Sequence, residues 1–142
     1  MLVRLLYASR ATAPLDAATI DAILNESGRN NPARGITGIL CYGEDMFIQV
    51  LEGGRDEVCE LFNAIVRDER NSGVRILSFE EISERRFGAW TMGQVNVARV
   101  NPSLLLKYAE KPRLDPFAAS GVASMALLDE LIATASVVKR GA

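Results

Sequence analysis

Tyr7, Ser9 and Gln49 are polar residues inside two segments whose apolar alternation otherwise predicts buried β-strands. In residues 2–9, Tyr7 and Ser9 share a face with Val3 and Leu5, and Gln49 alternates with apolar residues in the run 46–51. A buried amide or hydroxyl without a partner costs about 1–3 kcal/mol, so each of these groups must meet another polar group. For a single Gln or Tyr that group is commonly a backbone carbonyl or a nearby hydroxyl, and this ordinary explanation stays open.

Asn30 and Asn31 form a second polar pair. They follow a predicted helix end at Gly28 and precede Pro32, where asparagine commonly serves turns. Two adjacent amides at the mouth of a sheet can also hydrogen-bond the edge of a planar ligand. Both roles are compatible with the residues, and a turn role is the simpler one.

Composition removes several classes of function. The 142 residues include no histidine, the commonest metal ligand and general base, so we expect no metal site. No P-loop, G-x-G-x-x-G or G-x-S-x-G motif occurs, which disfavours hydrolases and nucleotide-dependent enzymes. Sixteen Lys and Arg against 18 Asp and Glu give a net charge of −2, so we expect no nucleic-acid partner.

The same composition favours a cytoplasmic protein. No apolar run approaches the roughly 20 residues of a membrane span, and the N-terminus lacks the layout of a signal peptide. Cys41 and Cys59 have the context of reduced, inert thiols. We therefore expect no membrane association.

Apolar periodicity, capping residues and turn residues predict the order of elements. Asp16 is the expected N-cap of the first helix, Gly28 its expected end, and Gly53-Gly54 opens the second helix. The predicted elements are strand 2–9, helix 17–27, hairpin strands 36–42 and 46–51, helix 55–69, strand 74–82, strand 90–97, a short helix 101–109 and a final amphipathic helix 122–138.

The order strand, helix, strand, strand, helix, strand predicts an α+β fold, the ferredoxin-like βαββαβ sheet with two helices on one face. The third strand is apolar on both sides, so we expect the C-terminal helices to cover the other face. We accordingly divide the chain into a domain at 1–97 and a helical extension at 98–142 that packs on the sheet. The final helix also suits a self-association face.

Several short segments together resemble the BLUF family, the sensors of blue light using FAD. They are Leu5-Leu6-Tyr7-Ala8-Ser9, Arg29-Asn30-Asn31, Gly35-Ile36-Thr37-Gly38-Ile39-Leu40, Phe47-Ile48-Gln49-Val50-Leu51-Glu52-Gly53, Asp68-Glu69-Arg70 and Trp90-Thr91-Met92. The resemblance runs from residue 2 to about residue 95. Residues 96–142 look like the tail of stand-alone members with no effector domain attached.

The resemblance implies a flavin ring between the helices at 17–27 and 55–69. Tyr7 matches the family's photo-redox tyrosine, Gln49 the glutamine that bridges it to flavin N5 and O4, and Asn31 the asparagine at the pyrimidine edge. The cofactor-binding set implied is Tyr7, Ser9, Ile23, Asn30, Asn31, Phe47, Gln49, Ile65 and Arg70. Trp90 and Met92 match the light-responsive pair, of which members differ in the residue that faces inward.

Two departures from the family pattern concern the edge of the cofactor site. Asn71 stands where many members carry His, and Ala64 where some carry Arg near the cofactor phosphates. Phosphate binding is then looser or supplied by Arg67.

The function implied is a blue-light photoreceptor that binds FAD and signals through a Tyr–Gln–flavin hydrogen-bond rearrangement to a separate, unknown effector protein, without enzymatic turnover. FMN or riboflavin would suit the same ring contacts. We expect a homo-oligomer. Two alternatives stay open: a ferredoxin-like enzyme such as an acylphosphatase or small oxygenase, and a non-photoactive ligand-binding or assembly module.

Overall fold

The computed structural model describes residues 1–134 and 136–139. Within these ranges the chain forms strands, three regular helices, a short helix and a 3₁₀ turn in the order β1 (Leu2–Ala11), α1 (Ala17–Arg34), β2 (Thr37–Gly43), β3 (Met46–Gly54), α2 (Arg55–Arg67), β4 (Asn71–Ile82), β5 (Gly93–Asn96), a 3₁₀ turn (Val97–Arg99), α3 (Pro102–Leu106), α4 (Gly121–Ala133) and β6 (Val138–Lys139).

The strands form one sheet in the order β4-β1-β3-β2-β5-β6. The pairs β1–β3, β1–β4 and β2–β3 are antiparallel, and β5 joins β2 in parallel. The first four strands thus have the ferredoxin-like arrangement that the order of elements predicts, and this prediction is confirmed. In the β1–β3 register Tyr7 lies directly opposite Gln49.

Each face of the sheet carries its own apolar core. On one face, which we call the pocket face, α1 and α2 cover Val3, Leu5 and Leu51. On the other face, which we call the tail face, α3 and α4 pack against residues that include Leu6 and Ile48. Alternate β3 residues therefore enter opposite cores, as the two-sided apolar pattern predicts.

The first helix is longer than predicted. Gly28 does not end α1, which continues through Pro32 to Arg34 and is capped by Gly35 at a φ of 67°. A helical glycine costs only about 1 kcal/mol relative to alanine, so packing along the helix outweighs it. Asn30 and Asn31 consequently lie in the last turns of a helix and not in a turn.

The C-terminal elements also differ from the prediction. Strand β5 begins at Gly93, so Trp90 and Met92 precede it, α3 ends at Leu106, and α4 ends at Ala133 instead of continuing to residue 138. Val138 pairs with Gln94 across β5 and β6, which supplies backbone partners to a sheet edge that would otherwise be open. Residue 135, which the predicted final helix at 122–138 includes, lies outside the described residues.

Candidate functional site

A pocket of about 230 Å³ opens between α1, α2 and the pocket face of the sheet. Residues of β1, α1, β2, β3 and α2 and of the segment 68–71 line it. Those that the sequence had singled out as cofactor-binding are Tyr7, Ser9, Ile23, Asn30, Phe47, Gln49, Ile65 and Arg70. The fold therefore brings together eight of the nine residues in that set, and Asn31 is the ninth.

The Tyr7–Gln49 pair lies in this pocket and is buried. The Tyr7 hydroxyl donates to Gln49 Oε1, and Gln49 Nε2 donates to Met92 Sδ at 3.3 Å. Burial, with a smaller contribution from the Asp68 charge, raises the pKa of the Tyr7 phenol well above its ordinary value. Tyr7 is therefore a neutral hydrogen-bond donor over the whole physiological pH range.

Ser9 carries a buried polar atom that the protein does not satisfy. Its Oγ has no hydrogen-bond partner among the described residues, and its residue is only 1% exposed. Ser9 lines the pocket, so a bound molecule with polar atoms would supply the missing partner. The Ser9 hydroxyl and the Gln49 amide give the pocket polar groups, while Ile23, Phe47 and Ile65 give it an apolar surface, a combination that suits a flat heteroaromatic ring with polar edges.

The two asparagines have different positions. Asn30 lines the pocket, whereas Asn31 is buried and its Nδ2 donates to the backbone oxygen of Thr91 at 3.2 Å. Because Thr91 immediately precedes Met92, Asn31 fastens the end of α1 to the segment that supplies the third member of the Tyr7–Gln49–Met92 chain. The structure thus places Asn31 at the edge of the site and not among the residues lining it.

The structure distinguishes Met92 from Trp90. Met92 is buried in the core of the pocket face and contacts Gln49. Trp90 is half-buried against the core of the tail face, and its Cγ lies 3.1 Å from the position that a Cβ on Gly93 would occupy. Its backbone oxygen accepts a hydrogen bond from the N–H of Gly38.

Arg70 lies beside the pocket in a network of opposite charges. Its guanidinium pairs with Asp68 at 2.5 Å and with Glu26 of α1 at 2.9 Å. These hydrogen bonds raise the pKa of Arg70 and lower the pKa of the Asp68 carboxyl. The positive charge of Arg70 is therefore compensated by two carboxylates, and its side chain links α1 to the end of α2.

Eight further lining residues were not in the predicted cofactor-binding set: Glu26, Ser27, Arg34, Leu40, Leu61, Ala64, Asp68 and Asn71. Of these, the sequence had placed only Ala64 and Asn71 at the edge of the site, as departures from the family pattern. Arg34 was missed because the predicted helix, 17–27, ends seven residues before α1 does. Arg67, which the sequence suggested for phosphate binding, is exposed and does not line the pocket. No group of His, Cys, Asp and Glu suited to a metal ion occurs among the residues that the structure describes.

Residues 2–93 match the family model described as sensors of blue-light using FAD. This chain belongs to the BLUF family. Among curated proteins it is 36% identical over 92 residues to the photoactivated adenylate cyclase subunit beta of Euglena longa, and 31% identical over 88 residues to the blue light- and temperature-regulated antirepressor BluF of Escherichia coli. These matches cover 64% and 62% of this chain but only 11% and 22% of those proteins, so the chain spans a small part of their length.

Solved structures of BLUF proteins match over almost the whole chain. The photo-activated state of BlsA superposes with a TM-score of 0.82 at 31% identity, covering 93% of this chain and 95% of BlsA. The dark-state structure of BlrB gives 0.78 at 35% identity, covering 94% and 96%. The chain thus belongs to a flavin-binding family of blue-light sensors, and the non-photoactive alternative is not favoured. BLUF domains are sensory and are not catalytic themselves.

None of the helices in the described ranges has the length and apolar character that crossing a bilayer requires.

Proposed function

We propose that this protein binds FAD in the pocket between α1 and α2 and signals blue light through rearrangement of the hydrogen bonds among Tyr7, Gln49 and the flavin. The observation that carries the proposal is the buried chain from the Tyr7 hydroxyl through the Gln49 amide to Met92 Sδ, next to a pocket in which Ser9 Oγ lacks a partner. A photocycle of this kind needs an electron and proton donor beside the chromophore and a polar side chain that relays the proton. Tyr7 suits the first role and Gln49 the second.

The pocket residues suit a flavin in kind. Ile23, Phe47 and Ile65 would supply apolar contacts to the ring, and Ser9 and Asn30 would offer hydrogen bonds to its polar edge. Two arginines line the pocket, and the guanidinium of Arg70 is already paired with Glu26 and Asp68. Arg34, exposed in the last turn of α1, therefore has the side chain better suited to a phosphate. The ring contacts would accept FMN or riboflavin as well as FAD.

When bound, the flavin supplies a strong oxidant on absorbing blue light. Tyr7 would give up an electron to the bound flavin and, because its buried phenol is protonated, would release the proton to Gln49 Oε1, the atom to which it is already hydrogen-bonded. The Gln49 amide carries a donor and an acceptor on one rotatable group, so it can relay the proton and end in a rotated or tautomeric form. Electron and proton both return to Tyr7, and the net result is a changed pattern of hydrogen bonds.

The altered Gln49 side chain changes what Met92 contacts. In the structure Met92 Sδ accepts from Gln49 Nε2, and Met92 directly precedes β5. A swapped donor and acceptor in a buried, low-dielectric site can bias a two-state element. Strand β5 connects β2 to β6, so it is well placed to pass this bias towards the C-terminal part of the chain.

We propose further that residues 1–97 form the sensor domain, that residues 98–142 form an extension packed on it, and that the output is contact with a separate effector protein and not turnover. Two free cysteines, Cys41 and Cys59, support a cytoplasmic location. Exposed apolar side chains at Leu106 of α3 and Val122 of α4 support self-association through the tail-face helices.

The test is the visible spectrum of the flavin-loaded protein before and just after blue light. We expect flavin bands that shift to the red and return in darkness, and a Gln49→Leu variant that keeps flavin but loses the shift. Gln94→Leu, which removes a half-buried amide from β5, is the matched control and should keep the shift. A normal shift in Gln49→Leu would contradict the mechanism, and failure of the wild type to take up flavin would favour a colourless binding module.

A further inference from the structure

Glu52 is a fully buried carboxylate that the proposed photocycle does not use. It lies on β3, three residues after Gln49, with its side chain on the opposite face of the sheet from the pocket, and it is 0% exposed. Removing a carboxylate from water costs several kcal/mol unless a cation and further donors compensate it. The groups that bind Glu52 therefore indicate which part of the structure this buried carboxylate stabilises.

The Glu52 carboxylate accepts hydrogen bonds from two separate parts of the chain. Arg4 of β1 donates from Nε and pairs through Nη2, both at 2.8 Å from Oε2. The backbone N–H of Arg86 donates to Oε2 at 3.0 Å, and the backbone N–H of Phe87 donates to Oε1 at 2.5 Å. A side chain on the central sheet thus holds the backbone of residues 83–92, the β4–β5 segment.

The β4–β5 segment has no regular secondary structure in the described chain and ends at Met92. In its middle, Phe87 is fully buried in the tail-face core, and the Arg4 guanidinium lies 5.8 Å from the centre of its ring. At its end, Asn31 bonds the backbone of Thr91, and Gln49 bonds Met92. The segment has a backbone bond to the sheet, from the Gly38 N–H to the Trp90 carbonyl at 3.1 Å, and Arg85 bonds Thr37 of β2. Between these points its backbone depends on side-chain contacts for its position.

We propose that Glu52 is a positioning residue of the light-sensing site: by binding the amides of Arg86 and Phe87 it fixes the path of the β4–β5 segment and so holds Met92 against Gln49. This inference rests on the proposed photocycle. Glu52 does not line the pocket and contacts neither Tyr7 nor Gln49. It acts through Met92.

A carboxylate is the group that these contacts require. Both of its oxygens accept, and each faces at least one N–H donor. In Glu52→Gln one of the two positions becomes an NH₂ that faces a donor, so either the Arg4 side or the Phe87 side of the arrangement is lost. Glu80 offers a matched control, because it binds the same guanidinium at 2.8 Å but its side chain is half exposed.

The experiment compares dark recovery after blue light in the flavin-loaded wild type, Glu52→Gln and Glu80→Gln. In Glu52→Gln the segment is no longer held by the carboxylate, so Met92 moves away from Gln49. We expect dark recovery in this variant to be about fivefold faster, which is the factor in rate that corresponds to one hydrogen bond of ordinary strength. Glu80→Gln should recover at the wild-type rate. Equal recovery rates in wild type and Glu52→Gln would overturn the proposal.

A paired substitution separates positioning from general support of the fold. Arg4→Met combined with Glu52→Met removes both buried charges, which proteins often tolerate without loss of stability, but it also removes the acceptor of the two amides. We expect this variant to fold and still to recover fast. Wild-type recovery in the double variant would show that the pair matters for stability alone, and would refute positioning.

Hydrogen exchange at the Arg86 and Phe87 amides tests the anchor apart from the photocycle. We expect one of these two amides to exchange about tenfold faster in Glu52→Gln than in Glu80→Gln, because one accepting oxygen is replaced by an NH₂ group and local opening no longer breaks that bond. If the wild type shows no red shift, the proposed function fails while this comparison still decides whether Glu52 fixes the segment. If the wild type photocycles and exchange is unchanged in Glu52→Gln, the positioning role is wrong and the proposed function stands.

Discussion

Replacing Tyr7 by Phe removes one hydroxyl and leaves the ring. The ring packs edge-to-face against Phe62 at a centroid distance of 5.5 Å, a contact that Phe reproduces. The hydroxyl donates to Gln49 Oε1, an atom of a residue only 5% exposed. The change therefore concentrates its effect on one buried hydrogen bond.

The size of the stability loss follows from this geometry. Gln49 Oε1 has the Tyr7 hydroxyl as its hydrogen-bond donor in the structure, so Tyr7→Phe leaves a buried acceptor without that partner. Leaving such a group unsatisfied costs about 1–3 kcal/mol, and we expect the free energy of unfolding of the flavin-free protein to fall by that amount. Denaturant titration measures it.

The functional effect should be far larger than the stability effect. With no phenol at position 7 the flavin-loaded protein lacks its electron and proton donor, so we expect the reversible red shift to disappear while flavin stays bound. Transient absorption after a blue pulse provides the assay.

Tyr108→Phe is the matched control for the loss of a phenol hydrogen bond. The Tyr108 hydroxyl donates to Glu130 Oε1 at 2.7 Å, and its ring packs on the tail-face core, away from the pocket. This variant should keep a full photocycle. An unchanged photocycle in Tyr7→Phe would remove Tyr7 from the role proposed for it, whatever its effect on stability.

Two further predictions concern stability. Burial raises the pKa of the Cys41 thiol to about 12, from 9.0, so the unfolded chain loses this proton from about pH 9 while the folded protein retains it. This contribution to stability is complete below pH 9 and falls by about 1.4 kcal/mol per pH unit above it. Cys41→Ala should reduce the fall in the free energy of unfolding between pH 9 and 10, whereas Cys59→Ala, at an exposed site, should not. Equal slopes of unfolding free energy against pH in the two variants would refute this. A Cβ on Gly121 would lie 2.4 Å from a backbone oxygen of β4, so Gly121→Ala should destabilise the protein by about 1–3 kcal/mol. A Cβ on Gly28 meets nothing within 4 Å, so Gly28→Ala in mid-helix should stabilise it by about 0.5–1 kcal/mol, and thermal unfolding that ranks the two variants the other way would contradict the packing described.

Much of the pocket could be predicted because period-2 patterns determine which strand residues share a face. Alternation placed Tyr7 and Ser9 on one face of β1 and Gln49 on the matching face of β3. The two hairpin strands and α2 were equally readable from apolar spacing. The resemblance to BLUF proteins then gave these polar residues one common ligand, which their types alone did not.

The differences arise where local preference competes with distant packing. Gly28 is a poor helix residue, yet α1 continues through it, and this extension brings Arg34 to the pocket. Val138 was assigned to a helix but pairs with β5, a partner more than 40 positions earlier in the chain. A single sequence contains no local indication of such pairing.

Irregular segments were the hardest to predict. Residues 83–89 have no helical or strand period, and the strand predicted at 90–97 would place Trp90 and Met92 on the same face. The sequence therefore could not show that Met92 reaches Gln49 while Trp90 packs on the opposite face. The role of Glu52 could not be predicted for a related reason, because its partners Arg4 and Phe87 lie 48 and 35 positions away in the sequence. Its burial depends on tertiary contacts and not on any local pattern.

The most direct test of the account is the difference spectrum, blue-lit minus dark, of the FAD-loaded wild type measured beside Gln49→Leu. We predict a red shift that reverses in darkness for the wild type and no shift for the variant at equal flavin occupancy. The same reversible shift in both proteins would contradict the central claim that Gln49 carries the light signal.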